Sequence, residues 1–274
     1  MRRFKQIDVF TARPFLGNPV AVVLDSSGLE TSDMQRIARW TNLSETTFLL
    51  PSTRADYRVR IFTPTNELPF AGHPTLGSAY AALSAGMVEP RAGQLTQECG
   101  AGVLELRVEG AKIFVRSPKP KLTEVKNEAG ACGIALAPPA RVIKVDVGPV
   151  WLVGEMSDAK ALAALKPDMA ALGQWSTSLA ATGVTVFAPS GEAESSVHVR
   201  SFAPASGVPE DPVCGSGNIS VAAYLRHFER VQPAYVARQG MQLGRDGRVS
   251  MRVDASDIWL GGEAVACVDG KLAA

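Results

Sequence analysis

The chain carries no surplus of charge of either sign. Lysine and arginine total 28 against 27 for aspartate and glutamate, a net charge of +1, with no long run of one sign. That removes the electrostatic case for a nucleic-acid partner or an anionic membrane surface. Cysteine is sparse: Cys99, Cys132, Cys214 and Cys267 form no C-x-x-C pair and no zinc-ligand spacing. The expectation is a cytoplasmic chain with reduced thiols and no metal. G-x-x-x-x-G-K-[ST] is absent, and Gly215-Ser216-Gly217 is followed by Val221-Ala222 where the last glycine of G-x-G-x-x-G would fall. Phosphate-loop and dinucleotide readings are therefore set aside. The opening Met1 to Asp8 lacks the apolar segment of a signal peptide. Leu68 to Val88 has no formally charged residue and enough length to span a bilayer, but Pro69, His73, Pro74 and several glycines make it a buried loop and helix.

What is present is a soluble globular composition, 46% hydrophobic and 20% charged, in a chain of 274 residues. That length fits one large domain or two ordinary ones. An internal repeat argues for two. Val59-Arg60-Ile61-Phe62-Thr63-Pro64 recurs as Val199-Arg200-Ser201-Phe202-Ala203-Pro204, 140 positions on. Each copy leads to a glycine loop and an alanine-rich apolar stretch. These are Ala71-Gly72-His73-Pro74 onward and Cys214-Gly215-Ser216-Gly217 onward, now 143 apart, so the second copy carries a three-residue insertion. Upstream, Thr46-Thr47-Phe48 faces Thr185-Val186-Phe187. A period this long is a duplicated fold unit, not a solenoid. Two such halves are expected to face each other across a cleft.

Short β-rich runs dominate, including Ile7 to Phe10, Pro19 to Leu24, Thr46 to Leu50, Tyr57 to Phe62, Val184 to Ala188, Val197 to Phe202 and Val249 to Val253. Thr31-Ser32-Asp33 and Ser157-Asp158 are helix start signals. Thr75 to Leu83 and Asn218 to His227 are apolar nearly all round, so each is expected as a buried helix. The predicted fold class is α+β: two pseudo-symmetric halves, each a barrel-like, mostly antiparallel sheet wrapped around a central apolar helix. The halves are residues 1–118 and 119–274, joined through the proline-rich Ser117 to Lys121, with about the last 12 residues packing back on the first half.

The glycine loops carry the candidate chemistry. A buried helix behind such a loop presents unpaired backbone N–H groups, here at Gly72 and at Gly215 and Gly217, suited to a carboxylate. His73 lies at one helix mouth, and Ser216 holds the equivalent place in the other; His73 either caps its own loop or handles ligand or proton. Glu45 precedes a strand, where its linear counterpart is Val184. Partial burial would raise its pKa into the range of general acid–base work, while a solvated strand end is the alternative. Asp211, in Glu210-Asp211-Pro212, either binds an amine or hydroxyl or starts a turn. Cys214, just before a helix, is a candidate activated thiol, but its counterpart is Ala71. Asn18, in Gly17-Asn18-Pro19, either reaches the cleft or makes a turn.

Taken together, these segments resemble the PhzF (phenazine biosynthesis) family, a branch of the diaminopimelate epimerase-like fold. The likeness spans nearly the whole chain. It runs through Ile7-Asp8-Val9-Phe10, Gly17-Asn18-Pro19-Val20-Ala21-Val22, Leu43-Ser44-Glu45-Thr46-Thr47-Phe48, Glu67-Leu68-Pro69-Phe70-Ala71-Gly72-His73-Pro74 and Glu210-Asp211-Pro212-Val213-Cys214-Gly215-Ser216. The resemblance implies a cofactor-independent isomerase similar to trans-2,3-dihydro-3-hydroxyanthranilate isomerase. Glu45 would move a proton on a small carboxylate-bearing substrate, and His73, Asp211 and Ser216 would hold and polarise it. It implies no metal or organic cofactor, and a homodimer. Cys214-Gly215-Ser216-Gly217 is also close to the thiol loop of the cysteine epimerases, so an amino-acid epimerase or racemase using Cys214 is the alternative. A non-catalytic binding protein of the same fold is a third reading.

Overall fold

The computed structural model describes residues 1–274. The chain folds as two compact units, Met1–Arg116 with Gly261–Ala274, and Ser117–Leu260. Both are mostly sheet with few helices. No helix is long and apolar enough to cross a membrane.

The first unit opens with β1 (Arg2–Val9), β2 (Asn18–Val23), α1 (Thr31–Thr41), β3 (Thr46–Leu50), β4 (Tyr57–Phe62), β5 (Glu67–Leu68) and α2 (Gly72–Ser84). It continues with β6 (Gln94–Cys99), β7 (Gly102–Glu109) and β8 (Lys112–Arg116). The second unit holds β9 (Lys121–Val125), β10 (Val142–Asp146), β11 (Val150–Glu155), α3 (Ala159–Ala164), α4 (Met169–Ser178), β12 (Gly183–Glu192), β13 (Ser195–Ala203) and β14 (Val208–Asp211). After these come α5 (Gly215–His227), β15 (Ala234–Gln239) and β16 (Gly247–Val253). β17 (Ile258–Gly262) carries the chain back, and β18 (Ala264–Leu272) pairs antiparallel with β1 in the first unit.

The duplication is written in the strand pairing. In the first unit β1–β2 is antiparallel, β2–β3 parallel, β3–β4 and β4–β5 antiparallel, β4–β6 parallel and β6–β7 antiparallel. The second unit repeats this order from β10 to β16. Each parallel pair needs a crossover, and a helix supplies it in every case. α1 joins β2 to β3, and α3 with α4 joins β11 to β12. α2 and α5 make the later crossovers.

Those last two helices are buried around their circumference, which is why their sequences lack a polar face. α2 packs on β1, β2, β3, β4, β8 and β18, and α5 packs on β10, β11, β12 and β16. The flanking helices are amphipathic instead. Met34 and Ala38 of α1 seal Val23, Phe48 and Phe62, whose rings stack edge to face at 5.5 Å. In the second unit Leu162, Leu172 and Trp175 cover Val184, Val186 and Phe202. Each fully buried side chain of this size stabilises the fold by about 1.5–3 kcal/mol.

The helix starts differ from expectation. α2 and α5 begin at Gly72 and Gly215, three residues before the expected Thr75 and Asn218, so His73 and Ser216 lie in the first helical turn. Gly, His and Pro are weak helix formers, but Pro is tolerated in a first turn because its missing N–H has no intrahelical partner there. Thr31-Ser32-Asp33 sits inside α1, where Asp33 pairs with Arg36 at 2.9 Å instead of capping. Asp158 does cap α3, accepting from the Ala161 N–H at 2.8 Å. α4 was not foreseen; its start signal is Asp168, which accepts from Ala170 and Ala171.

Register also corrects the comparison of the copies. Arg60 forks Glu67 at 2.7 and 2.6 Å and lies over Phe62; Arg200 forks Glu210 at 2.8 Å twice and lies over Phe202. Ile61 stands opposite Leu68, and Ser201 opposite Asp211. Glu210 is therefore the counterpart of Glu67, and Asp211 replaces Leu68. The three-residue insertion of the second copy lies upstream of Asp211, at the one-turn helix Pro204–Ser206. Likewise Thr46 faces Phe62 and Val184 faces Phe202, so Glu45 corresponds to Gly183, not Val184.

Candidate functional site

Glu45 sits immediately before β3 and His73 in the first turn of α2. The fold brings them together: His73 Nε2 lies 3.4 Å from Glu45 Oε2, with side-chain exposures of 8% and 15%. Burial pushes the imidazole pKa down to about 4, against a hydrogen bond to the Pro19 carbonyl that acts to raise it. At neutral pH the ring is uncharged. Nε2 makes no hydrogen bond. The ring proton therefore resides on Nδ1, facing Pro19, and Nε2 turns a lone pair towards the carboxyl group. A proton placed between Nε2 and Oε2 relieves two facing lone pairs, so the pair is built to handle one proton. Burial is the largest cause of the shift.

The turn before β2 prepares this contact. The Gly17 N–H donates to Asp8 Oδ2 at 2.9 Å. A Cβ on Gly17 would collide with the Val9 carbonyl oxygen, which is why glycine stands there. Asn18 follows as the first, fully buried residue of β2, and Pro19 then offers its carbonyl to His73. Gly72 heads α2, where the backbone N–H groups of the first turn have no intrahelical acceptor.

In the second unit the mouth of α5 gathers Asp211, Cys214 and Ser216. Burial lifts the Asp211 carboxyl pKa to about 6, opposed by hydrogen bonds from the Cys214 thiol and the Val213 N–H, the latter at 3.1 Å. Cys214 is the N-cap: its Sγ accepts from the Gly217 N–H at 3.2 Å. Burial and the neighbouring Asp211 push the thiol well above its ordinary pKa. The expected activation by the helix end loses to these two effects, and the sulfur stays protonated at neutral pH. A protonated thiol that already donates is a poor base. Gly217 is required by space, since a Cβ there would lie 2.5 Å from Ser201 Oγ and 2.9 Å from Thr185 Oγ1. Gly215 and Ser216 lead the helix with unpaired N–H groups.

A family described as phenazine biosynthesis-like protein, PhzC-PhzF, matches residues 7–270. The chain belongs to the PhzC-PhzF family. Antisense-enhancing sequence 1 of Schizosaccharomyces pombe is 40% identical, covering 98% of this chain and 97% of that one. Trans-2,3-dihydro-3-hydroxyanthranilate isomerase of Pseudomonas aeruginosa is 35% identical, covering 98% and 95%. The crystal structure of the Bacillus anthracis phenazine biosynthesis protein of the PhzF family superposes with a TM-score of 0.88 at 26% identity, covering 100% and 99%. This protein is an isomerase of the PhzF type.

In this PhzF-type isomerase, several residues that hold the mouth of α5 carry no signal singled out from the sequence. Gln239, fully buried on β15, holds the loop before α5. Its Oε1 accepts from the Cys214 N–H at 3.1 Å and from Asn218 Nδ2 at 2.8 Å, and its Nε2 donates to the Asp211 carbonyl at 3.0 Å. Arg200 fastens Glu210, next to Asp211, and donates to the carbonyls of Leu162 and Leu165 at the end of α3. Trp151 Nε1–H donates to Ser216 Oγ at 2.9 Å. The matching E-x-P-x-x-G of Glu67 and Glu210 was the available signal for the arginine forks; nothing in the sequence marks Gln239 or Trp151. No group of three or more His, Cys, Asp or Glu is placed to hold a metal ion.

Proposed function

We propose that this protein moves a proton on a small carboxylate-bearing substrate without a cofactor, Glu45 being the acid–base group. The observation that carries the reading is the buried Glu45–His73 pair at 3.4 Å, whose imidazole is neutral and open at Nε2. A general base must be within reach of a proton and have a partner that sets its protonation state, and this pair supplies both. His73, Asp211, Ser216 and Asn18 are proposed as substrate-holding groups. The N–H groups that lead α2 and α5 at Gly72 and Gly215 are proposed to take the carboxylate and the anion that develops during proton transfer, whereas the N–H of Gly217 is given to Cys214 Sγ. The proposal extends to each unit closing as a barrel around its central helix, and to a homodimer in the cytoplasm. The four free cysteines fit a reducing compartment.

The substrate class follows from the relatives named for trans-2,3-dihydro-3-hydroxyanthranilate, an acid with an amine and a hydroxyl. Those are groups for Asp211 to accept from. The test incubates wild-type protein with that compound in D2O. Isomerised product carrying one solvent deuteron is the expected result. No product and no deuterium exchange, with that acid and with a panel of small unsaturated carboxylates, would leave a binding protein in place of an enzyme. The epimerase reading, with Glu45 as the opposing base, needs Cys214 to act as thiol in one direction and as thiolate in the other; the raised thiol pKa suits the first and disfavours the second.

A further inference from the structure

Trp151 and Cys214 have no part in the chemistry just described, yet both are bonded to residues that do. Trp151 is 3% exposed on β11, and its indole N–H is committed to Ser216 Oγ at 2.9 Å. Ser216 Oγ in turn lies 3.6 Å from Cys214 Sγ, a sulfur hydrogen-bond distance. The Cys214 thiol is hydrogen-bonded to the Asp211 carboxyl group.

Chemistry fixes the direction of each bond. An indole N–H can only donate, and a carboxylate can only accept. The thiol between Ser216 and Asp211 has one proton. If that proton goes to Asp211, the sulfur lone pairs are left to accept from Ser216 O–H on one side and from the Gly217 N–H, at 3.2 Å, on the other. Ser216 then takes the indole proton on one lone pair and sends its own to sulfur. Every donor in the series has an acceptor, and no two like ends meet.

We propose that Trp151 and Cys214 are positioning residues, the head and an inner link of a one-way hydrogen-bond chain, Trp151 to Ser216 to Cys214 to Asp211, that fixes the two polar groups of the second unit. The thiol is a structural donor in this arrangement, not a proton carrier. Such chains strengthen bond by bond, because each donor is polarised by the one before it. The first unit achieves the equivalent result differently: β2, the counterpart of β11, holds His73 by the Pro19 carbonyl. This inference rests on the reading that Ser216 and Asp211 hold substrate.

The test has one arm that needs no turnover. The S–H stretch of the full-length protein is recorded by infrared spectroscopy, and the Cys214 band is assigned by its loss in Cys214→Ala. The expected band lies below those of the other thiols and moves to higher frequency in Trp151→Phe and in Ser216→Ala. A Cys214 band at the position of a thiol that donates to nothing, or one that Trp151→Phe leaves in place, overturns the chain whatever the substrate proves to be.

The second arm follows turnover of trans-2,3-dihydro-3-hydroxyanthranilate. Trp151→Phe should raise KM roughly 3- to 10-fold, the worth of one hydrogen bond, with kcat little changed. It should add nothing further in a Ser216→Ala background. Cys214→Ala should raise KM and Cys214→Ser should restore it. Fully multiplicative effects of Trp151→Phe and Ser216→Ala would show that tryptophan acts only by packing, and would overturn its positioning role. Absent wild-type turnover would sink the substrate reading alone, since the infrared arm still decides the chain.

Discussion

The two copies of V-R-x-F-x-P give a controlled experiment within one molecule. Arg60 and Arg200 each make a two-pronged bond to a glutamate and lie over a phenylalanine, at 5.1 and 4.9 Å from the ring centre. They differ in burial. Arg200 and Glu210 are 7% and 9% exposed, whereas Arg60 and Glu67 are 18% and 39% exposed. Replacing Arg200 by Met strands a buried carboxylate beside Asp211 and frees the carbonyls of Leu162 and Leu165. Removing one member of a buried pair costs about 3–5 kcal/mol. Replacing Arg60 by Met leaves Glu67 in reach of water, and a pair of that kind is worth about 1 kcal/mol or less. Loss of the ring contact is common to both and cancels. Urea denaturation of the two variants should therefore separate them by about 3 kcal/mol. Arg200→Met with Glu210→Leu should recover part of the loss, because no charge is then left buried. Equal destabilisation by the two single substitutions would refute burial as the deciding factor.

Four further outcomes can be measured. The imidazole of His73 should titrate near pH 4 by NMR; a midpoint near 6.5 would contradict its burial. His73 has a depressed pKa in the fold, so its contribution is present above about pH 6.5 and lost as pH falls towards 4. Asp211 has a raised pKa, so its contribution is complete below its ordinary 3.8 and lost as pH rises through about 6. Between pH 7 and 5 the two oppose each other. Stability should rise on acidification more steeply in His73→Asn than in wild type, and less steeply in Asp211→Asn; the reverse order would refute the assigned directions. Gln239→Leu leaves the Cys214 N–H and one Asn218 donor unpaired, and should cost about 2 kcal/mol or more in chemical denaturation. Gly17→Ala should lower stability and activity together through the clash with the Val9 carbonyl; an unchanged melting temperature would argue that the turn yields freely.

Much of this was readable in the residues. The repeat located equivalent strands because β pairing imposes a two-residue alternation that both copies keep in Phe48, Phe62, Val186 and Phe202. Apolar character on every side marked α2 and α5 as buried. What linear alignment lost was register. A one-residue slip paired Glu45 with Val184, whereas the ladders pair it with Gly183. Helix starts were placed late because Gly72-His73-Pro74 and Gly215-Ser216-Gly217 are weak helix formers locally, and only packing against the surrounding strands makes them helical. Cys214 looked activated from its place before a helix; the carboxyl group beside it comes from loop closure that the sequence does not display. Trp151 and Gln239 read as ordinary strand residues, since their partners lie far away along the chain.

The central claim is that Glu45 moves the proton, and Glu45→Gln tests it most directly. The amide keeps the shape of the carboxyl group and cannot take up a proton at this site. The variant and wild type are compared for deuterium uptake from D2O into trans-2,3-dihydro-3-hydroxyanthranilate and its product, with thermal melting as the check on folding. The account predicts an unchanged melting temperature and a loss of exchange of about 100-fold or more, the scale of a missing general acid–base group. Exchange at the wild-type rate in a folded Glu45→Gln protein would contradict it.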